Sequence, residues 1–368
     1  MEDWVATKRN RPEQPVGRMS HNNAKAMPLL QSVRSATCMF TAQLALSVLA
    51  PSLPGAEAWL NFASGNGPGR GKHIVLISGD EEYRSEEALP QLARILSKRH
   101  GFRTTVLFAI DPADGTVNPK NRTNIPGLEA LRTANLMIIS TRYRQLPDAQ
   151  MKWIDEYVHS GRPIIGLRTA THAFAFDKET ATSFQAYDHR DKSAWPGGFG
   201  KQVLGETWIS HHGKHGVQST RGVPSPGAER HAILKGCEDV WGPTDVYTVT
   251  LPEGTTPLLL GQVLSGMKPT DQPVEGQLNN PMMPIAWTRT FTTRGGKKAR
   301  VFTTTMGASV DFASEGLRRL VVNAAYWAVG LESKIPARAN VDIVGTFEPT
   351  FFGFGKHRHR LRPADYAK

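Results

Sequence analysis

The stretch PIIGLRTATHAFAF, residues 163–176, decides the fold that the sequence predicts. Its first half is a short apolar run after Gly161, which is typical of a strand buried on both faces of a parallel sheet. Arg168, Thr169, Thr171 and His172 then follow within five positions. Because open α/β sheets bind ligands at the carboxyl ends of their strands, this turn is a candidate site. The alternative is a strand end whose threonines cap the next helix.

Similar apolar runs precede this stretch and alternate with helical patterns. The sequence predicts strands at residues 72–79, 103–110, 135–141 and 163–167, and helices at residues 85–100 and 147–160. Gly101 is predicted to end the first helix. Strands that alternate with helices indicate right-handed crossovers. The predicted fold is therefore an α/β domain with a doubly wound, mostly parallel sheet.

The second half of the chain is less regular. Residues 177–227 show no sustained periodicity, which predicts a long insert that is functional or that contains short elements. Further strands are predicted at residues 244–249, 256–263, 284–292 and 299–305, and a last helix at residues 314–330. We expect the α/β domain to span residues 72–331, and residues 332–368 to form an irregular C-terminal arm.

Composition limits the class of protein. Apolar residues make up 39% of the chain and charged residues 21%, which is typical of a globular protein and excludes global disorder. The net charge is +11, but part of it lies in the N-terminal segment and in the tail Lys356–Arg362. The remaining charge is modest and dispersed, so we expect no nucleic-acid partner. A small-molecule carbohydrate is compatible with this composition.

The N-terminal segment, residues 1–58, is typical of an export signal. Arg34 precedes an apolar run at residues 36–50, and Ala56-Glu57-Ala58 supplies a cleavage motif. The run is short for a membrane span, so none is expected after cleavage, and the protein is predicted to be periplasmic or extracellular, with a transmembrane anchor as the alternative. The polar residues 1–26 indicate that the start is over-extended, and Met19 or Met27 is the alternative start.

Cysteine usage excludes two kinds of site. The chain has two cysteines, Cys38 and Cys237, and Cys38 falls in the predicted export signal. A mature chain with one cysteine has no intrachain disulfide and no CxxC-type zinc site or redox pair.

Several separated motifs carry a resemblance to a known family. They are GKHIVLISG at 71–79, RPIIGLRTATHAF at 162–174, RHAILKG at 230–236, TDVYTV at 244–249, PIAWTRTF at 284–291 and RVFTTTMGASVDF at 300–312. With these motifs the chain resembles the ThuA-like (trehalose utilisation) family. The resemblance implies a flavodoxin-like fold, similar to class I glutamine amidotransferases. It also implies a role with a disaccharide or its 3-keto derivative, in a lyase, hydrolase or isomerase step.

The chain differs from an amidotransferase at the nucleophile. Amidotransferases carry cysteine in a G-x-C-x-G turn, whereas Gly166-Leu167-Arg168-Thr169-Ala170 places arginine there. Arginine is cationic at any ordinary pH and cannot act as the nucleophile. We therefore expect no Cys-dependent amidotransferase activity. Many ThuA-like proteins carry histidine at this position, so a role assigned to that histidine does not transfer to this chain.

Polar residues after several predicted strands are expected to converge. The predicted catalytic residues are His172, Arg168, His211 and Glu86. Two guanidinium groups, on Arg142 and Arg168, suit carboxylate, phosphate or sugar hydroxyls. Alternatively, they form ion pairs with Glu82 and Glu86. The predicted ligand-binding residues are Glu82, Tyr83, Arg84, Arg142, Tyr143, Thr169, Trp208, His212, His215 and Asp311, although a turn before the last helix is the alternative for Asp311.

The histidines of the insert form an HHxxH pattern, His211, His212 and His215. On a helix, His211 and His215 would share a face, as metal-binding pairs do, with His172 or Glu206 as further ligands. A divalent metal is the only cofactor that the sequence indicates. Glycines interrupt the pattern, so histidines that bind sugar or transfer protons, or a solvated loop, are the alternatives.

Proton abstraction next to a ketone needs a base and a cation that holds the enolate. His172 or a histidine of the insert is the expected base, and Arg168 or Arg142 the expected cation. Two other functions fit the sequence: a non-catalytic module that binds a sugar or a partner, and a metal-dependent hydrolase. Neither GxGxxG nor GxxxxGK[ST] follows a predicted strand, so no site for nucleotide phosphates is expected.

Overall fold

The computed structural model describes residues 57–368. The predicted export signal lies outside this part of the chain, apart from residues 57 and 58, and so does Cys38. Within residues 57–368, no helix is both long enough and apolar enough to cross a bilayer.

A ten-stranded sheet with three α-helices forms the framework. The helices are α1 (Ser85–His100), α2 (Asp148–Val158) and α3 (Glu315–Ala328). The strands are β1 (Trp59–Phe62), β2 (His73–Gly79), β3 (Arg103–Leu107), β4 (Leu136–Thr141), β5 (Ile164–Leu167), β6 (Thr220–Pro224), β7 (Trp241–Gly242), β8 (Thr256–Val263), β9 (Met283–Thr292) and β10 (Lys298–Thr304). Their order in the sheet is β1-β3-β2-β4-β5-β10-β9-β8-β6-β7.

Five neighbouring strands, β3, β2, β4, β5 and β10, are parallel. Numbered along the chain, these five follow the order 2-1-3-4-5, which is the strand order of flavodoxin. The remaining pairings are antiparallel. The sheet is therefore mixed, and the prediction of a mostly parallel, doubly wound sheet is not confirmed. The reason is that β8, β9 and β10 are antiparallel neighbours, whereas a parallel neighbour requires a longer crossover, usually helical.

Two apolar layers cover the sheet. All seven residues of β2 are buried; Ile74 and Leu76 lie in the layer that contains α1 and α3, and Val75 and Ile77 in the layer that contains α2. Alternate residues of a strand point to opposite faces, so this strand is covered on both sides. Burying each of these side chains contributes about 1.5–3 kcal/mol.

The ends of the helices follow local rules. Gly101 ends α1 in the left-handed conformation, φ 81°, as its position in the sequence predicts. The N–H of Gly101 donates to the carbonyl of Ser97 at 3.1 Å, and the N–H of Phe102 donates to that of Leu96 at 3.1 Å. Ser314 begins α3, and its side chain accepts a hydrogen bond from the N–H of Leu317. These caps define where α1 ends and where α3 begins.

The segments between these elements are mostly irregular. The 3-10 turns are Leu128–Thr133, Arg168–His172, Gln185–Tyr187, Ala232–Leu234, Ser309–Ala313, Glu332–Lys334 and Pro363–Ala367, and one π-helical turn is Gly200–Leu204. The strand predicted at residues 244–249 is wrong. This segment forms a single β-bridge, between Tyr247 and His211, because its backbone pairs with the loop that carries the histidines.

Candidate functional site

The turn after β2 and the turn after β5 are joined by one carboxylate. Asp80 is fully buried, and its Oδ1 accepts hydrogen bonds from the backbone N–H groups of Glu82 (2.8 Å) and Tyr83 (3.0 Å). Its Oδ2 accepts from the hydroxyl of Thr169 at 2.5 Å. Because short polar side chains stabilise turns in this way, Asp80 shapes the loop that leaves the sheet. Thr169 therefore holds two strand ends together rather than facing a ligand.

Arg168 occupies the strained position of the turn after β5. Its φ is 44°, a left-handed conformation that is uncommon for a residue with a side chain. The guanidinium is completely buried, 4.5 Å from the ring centre of Tyr83 and 3.9 Å from that of Tyr247. It donates to the carbonyls of Asp245 (2.8 Å) and Thr305 (2.7 Å). The predicted use of Arg168 as a cation that contacts substrate is not supported, because its charge is enclosed by protein.

Asp245 is the centre of the polar site. Its Oδ1 accepts from Nη2 of Arg168 at 2.9 Å and from Nδ1 of His215 at 3.0 Å, and its Oδ2 accepts from Nδ1 of His211 at 2.7 Å. Burial disfavours its charge, but Arg168 and the two histidines outweigh that effect and hold the pKa of Asp245 well below its usual range. Asp245 is therefore ionised. We call Asp245, His211 and His215 the Asp245 cluster.

Backbone pairing brings the two halves of the cluster together. The N–H of Thr248 donates to the carbonyl of Ser210 at 2.9 Å, and the N–H of His212 donates to the carbonyl of Val246 at 2.8 Å. These bonds align the histidine loop with the segment around Asp245. His211 and His215 therefore meet on one carboxylate in a loop, although the sequence pattern suggested a shared helix face.

The cluster is open to solvent on one side. The side chains of His211 and His215 are 36% and 33% exposed, whereas Asp245 is buried. A carboxylate that accepts from Nδ1 leaves Nε2 of His211 as the atom available for a ligand, whereas Nε2 of His215 lies 3.4 Å from the carboxylate of Glu82. The arrangement thus presents two oriented imidazoles above a buried negative charge.

Glu82 connects the cluster to Arg142. One carboxylate oxygen of Glu82 lies 3.4 Å from Nε2 of His215, and the other lies 3.4 Å from Nε of Arg142. Burial raises the pKa of Glu82 above its usual value, against the opposing effect of Arg142. Arg142 also pairs with Glu81 and lies 4.4 Å from the ring centre of Tyr143. The alternative that Arg142 is held by ion pairs is therefore observed, although 16% of its side chain stays exposed.

Aromatic rings border the cluster. The ring of His172 lies 5.0 Å from that of Tyr143 and 5.7 Å from that of Trp208, and Trp208 lies 5.7 Å from His211. Burial, together with Arg142 and neighbouring histidines, holds the pKa of His172 well below its usual range, so the ring is neutral.

Tyr143 also lines a cavity of about 370 Å³ with Glu81, His189 and Arg190. This volume suits a small ligand.

Four of the predicted residues, Arg84, His212, Asp311 and Glu86, neither belong to the Asp245 cluster nor border it. Arg84 is buried and donates to the backbone of Glu81 and Gly353. His212 faces away from Asp245, and its Nε2 bonds to the carbonyl of Leu278 at 2.9 Å. Asp311 is fully buried, and four donors from Thr244, Gly307 and Ala308 surround its carboxylate, so the alternative of a structural turn is the observed one.

Glu86 is the fourth predicted residue that lies apart from the Asp245 cluster. Its side chain is buried on α1, and its oxygens have no hydrogen-bond partner within residues 57–368. Burial raises its pKa to about 8. No hydrogen bond or ion pair links Glu86 to the histidines in this part of the chain, so its predicted catalytic role has no support from contacts.

Sequence reasoning missed Asp245, although it lies in the TDVYTV motif. The alternation of that motif favoured a strand, in which Asp245 would have been one polar position among several. Asp80, Glu81, His189, Tyr247 and Phe352 were missed as well, since their roles depend on partners far along the chain. Among these residues, only Asp80 could have been identified from the sequence, because it is an acid that directly follows the buried strand β2.

The cluster can support two kinds of chemistry. A histidine oriented by a carboxylate acts as a general base. Two imidazoles and a carboxylate can also bind a divalent metal, and one ligand atom from each of His211, His215 and Asp245 lies within 4.8 Å of the others. Glu206, a further ligand considered from sequence, instead pairs with Lys201 at 2.8 Å.

Comparisons with known proteins place the chain in a family. The family model ThuA, described as trehalose utilisation, matches residues 74–328. Among curated proteins, none matches the chain. A crystal structure described as a "thua-like protein" from Parabacteroides merdae ATCC 43184 is 14% identical, with a TM-score of 0.44, and the match covers 81% of this chain and 99% of that chain. PurLQS from Thermotoga maritima is 10% identical, with a TM-score of 0.35 and coverage of 70% and 99%.

Proposed function

This chain belongs to the ThuA (trehalose utilisation) family, and we propose that it acts on a disaccharide or its 3-keto derivative at the Asp245 cluster. The observation that carries the proposal is the 2.7 Å contact between Nδ1 of His211 and Oδ2 of Asp245. It orients the His211 ring with Nδ1 toward Asp245, so that Nε2 is the ring nitrogen left to act on a ligand, and 36% of the side chain is exposed. The proposed base is therefore His211.

A ketone makes the neighbouring C–H acidic enough for a histidine to act on. His211 takes the proton at Nε2, and the C–H electron pair moves into the carbonyl to form an enolate. In an isomerase step, the hydroxyl proton on the deprotonated carbon moves to the enolate oxygen, and His211 returns its proton to the former carbonyl carbon. In a lyase step, the C–O bond on the next carbon breaks, a C=C bond forms, and the departing oxygen takes the proton that His211 holds. Arg142 is the proposed cation near the enolate, because part of its side chain is exposed, whereas Arg168 is enclosed.

Aromatic surface beside the base supports a sugar as the ligand. Trp208 and Tyr143 lie within 6 Å of His172, and Trp208 borders His211. Sugar rings have apolar C–H faces and polar edges, and aromatic rings next to charged groups match both surfaces. The low pKa of His172 suits a neutral hydrogen-bonding group on the wall of the site.

The test compares His211→Ala with His212→Ala, two adjacent histidines in the same loop. Turnover of 3-keto-trehalose is expected to fall about 100-fold or more in His211→Ala, which is the typical contribution of a general base. His212→Ala should retain most of the activity, because His212 bonds to the backbone away from Asp245. Equal activity of His211→Ala and wild type would reject His211 as the base. Binding of sugar without any turnover would instead favour a binding module.

A metal-dependent hydrolase is the second candidate function. It is favoured by the convergence of ligand atoms from His211, His215 and Asp245. A bound divalent ion would supply an activated water or polarise a carbonyl. This function requires turnover that disappears on chelation and returns with added metal, and His215→Ala should be as impaired as His211→Ala. Turnover that is unaffected by a chelator excludes it.

We also propose that residues 1–58 direct export and are removed after Ala58. Cleavage there would leave Trp59, the first residue of β1, as the N-terminus, so every strand would be retained. The mass and N-terminal sequence of protein recovered from outside the cytoplasm test this proposal. If the recovered protein begins at a residue other than Trp59, cleavage occurs at a different site. If the protein stays inside the cytoplasm, the proposal of export is wrong.

A further inference from the structure

A segment of the C-terminal arm, residues 350–354, crosses beside the Asp245 cluster. Both the N–H and the hydroxyl of Thr350 donate to the carboxylate of Glu87 at 2.7 Å, and the carbonyl of Thr350 accepts from Ser309 at 2.9 Å. The N–H of Gly353 donates to the carbonyl of Glu82 at 2.8 Å. The segment is thus bonded at both ends to loops that leave the sheet. It lies outside residues 74–328, the part that the family model matches.

Phe352 joins this segment to the cluster. Its side chain is 3% exposed, and its ring centre lies 5.1 Å from His215 and 5.4 Å from Tyr83. The burial of a phenylalanine stabilises the segment by about 1.5–3 kcal/mol. Phe352 therefore holds its neighbours in the chain at the edge of the site.

Those neighbours are exposed aromatic residues. Phe351 is 46% exposed and stacks on Phe352, with the ring centres 4.2 Å apart. Phe354 is 60% exposed and lies 5.0 Å from the guanidinium of Arg142. Exposed apolar surface beside a polar cleft is typical of a ligand-binding site.

The exposed apolar residues are concentrated around the cluster. Within residues 57–368, the large hydrophobic side chains that are exposed are Ile209, Val217, Phe351 and Phe354. Ile209 and Val217 lie two residues from His211 and His215 in the chain. A polar centre with an apolar rim matches a sugar, whose hydroxyls bind the centre and whose C–H faces contact the rim.

We propose that Phe351 and Phe354 form an aromatic subsite for the second ring of a disaccharide whose first ring lies at the Asp245 cluster. The inference rests on the proposed function, because it takes the cluster as the place where the first ring reacts. The subsite makes this chain select two-ring sugars over one-ring sugars. The selectivity comes from the C-terminal arm, which lies outside the part of the chain that the family model matches.

The experiment uses Phe354→Leu and Phe354→Tyr as a matched pair, repeated at Phe351. Leucine keeps an apolar side chain but removes the aromatic face, and tyrosine keeps the face. Binding of trehalose and of glucose is measured by calorimetry, and turnover of 3-keto-trehalose and 3-ketoglucose is measured in parallel. Phe→Leu should weaken the binding of the two-ring sugars about 3- to 10-fold, which is the range of one aromatic contact. The binding and turnover of the one-ring sugars should be unchanged. Phe→Tyr should resemble wild type.

Each outcome separates the subsite from the proposed function. If both Phe→Leu variants keep the wild-type ratio of the affinity for two-ring sugars to the affinity for one-ring sugars, while His211→Ala loses turnover, the subsite is wrong and the proposed function stands. If wild type neither binds nor converts any of the four sugars, both the function and the subsite are wrong. If the Phe→Leu variants bind one-ring and two-ring sugars with equally weakened affinity, the subsite is also wrong, because that result indicates a general effect on the cluster.

Discussion

Asp245 and Arg168 form a fully buried ion pair, in which Oδ1 of Asp245 lies 2.9 Å from Nη2 of Arg168. The same carboxylate accepts hydrogen bonds from His211 and His215. Arg168 thus orients the histidines through Asp245 without contacting a ligand itself. We regard it as a positioning residue in the turn that follows β5.

Asp245→Asn should strongly destabilise the protein. The substitution keeps the shape of the side chain but leaves the Arg168 charge buried without a carboxylate, and breaking a buried pair in this way costs about 3–5 kcal/mol. Asp177→Asn, at an acid whose side chain is 56% exposed, should change stability little. Urea unfolding at neutral pH measures both. Equal stabilities of the two variants would contradict the buried ion pair.

Glu86→Gln should stabilise the protein and remove part of its pH dependence. Burial raises the pKa of Glu86 to about 8. The unfolded chain releases this proton near its ordinary pKa of about 4. Between these values the folded state holds a proton that the unfolded state has lost, so stability falls as pH rises from about 4 to 8. Glutamine avoids that cost, and at pH 7 the gain is on the order of 3–4 kcal/mol.

Glu87→Gln is the control for this substitution, one residue further along α1. Glu87 accepts two hydrogen bonds from Thr350, so its replacement should destabilise the protein. Urea unfolding at pH 5, 7 and 9 compares the variants. If Glu86→Gln shows the same pH profile as wild type, Glu86 does not fold in its protonated form. Turnover should be unchanged in Glu86→Gln, because no contact links this residue to the cluster in the described part of the chain.

Metal binding should follow the geometry of the cluster rather than the histidine pattern. If a metal binds there, calorimetric titration with ZnCl₂ should show one ion per chain in wild type and in His212→Ala. His211→Ala and His215→Ala should lose that site, because each removes one of three convergent ligands. Equal loss of binding in His212→Ala would show that the ion binds elsewhere in the loop. Absence of binding in wild type excludes the metal candidate.

Asp311→Asn should lower stability but leave ligand affinity unchanged. The carboxylate accepts four hydrogen bonds from Thr244, Gly307 and Ala308, and the amide of asparagine would place donors against these donors. Leaving such groups unsatisfied costs about 1–3 kcal/mol. Thermal unfolding measures the loss, and trehalose binding at low temperature is the control. A tenfold loss of affinity in the folded variant would restore a ligand role for Asp311.

Much of the framework was predictable because its signals are local. The apolar run before Arg168 is β5, the run before Asp80 is β2, and Gly101 ends α1. In each case residues adjacent in the chain carry the pattern and make the bonds. The mixed sheet was harder to predict, because alternation of apolar and polar residues indicates an antiparallel strand but does not specify which strand is its neighbour.

The sequence by itself determined the buried strands, the helices between them and the polar turns at their carboxyl ends, since backbone periodicity and capping act over a few residues. Tertiary structure alone decided which polar groups became the site. Arg168 was placed at a crevice by its position in the chain, yet it is enclosed by Tyr83, Tyr247 and an aspartate 77 residues away. A buried charge takes whichever opposite charge the fold brings within a few ångströms, and no local pattern specifies that partner.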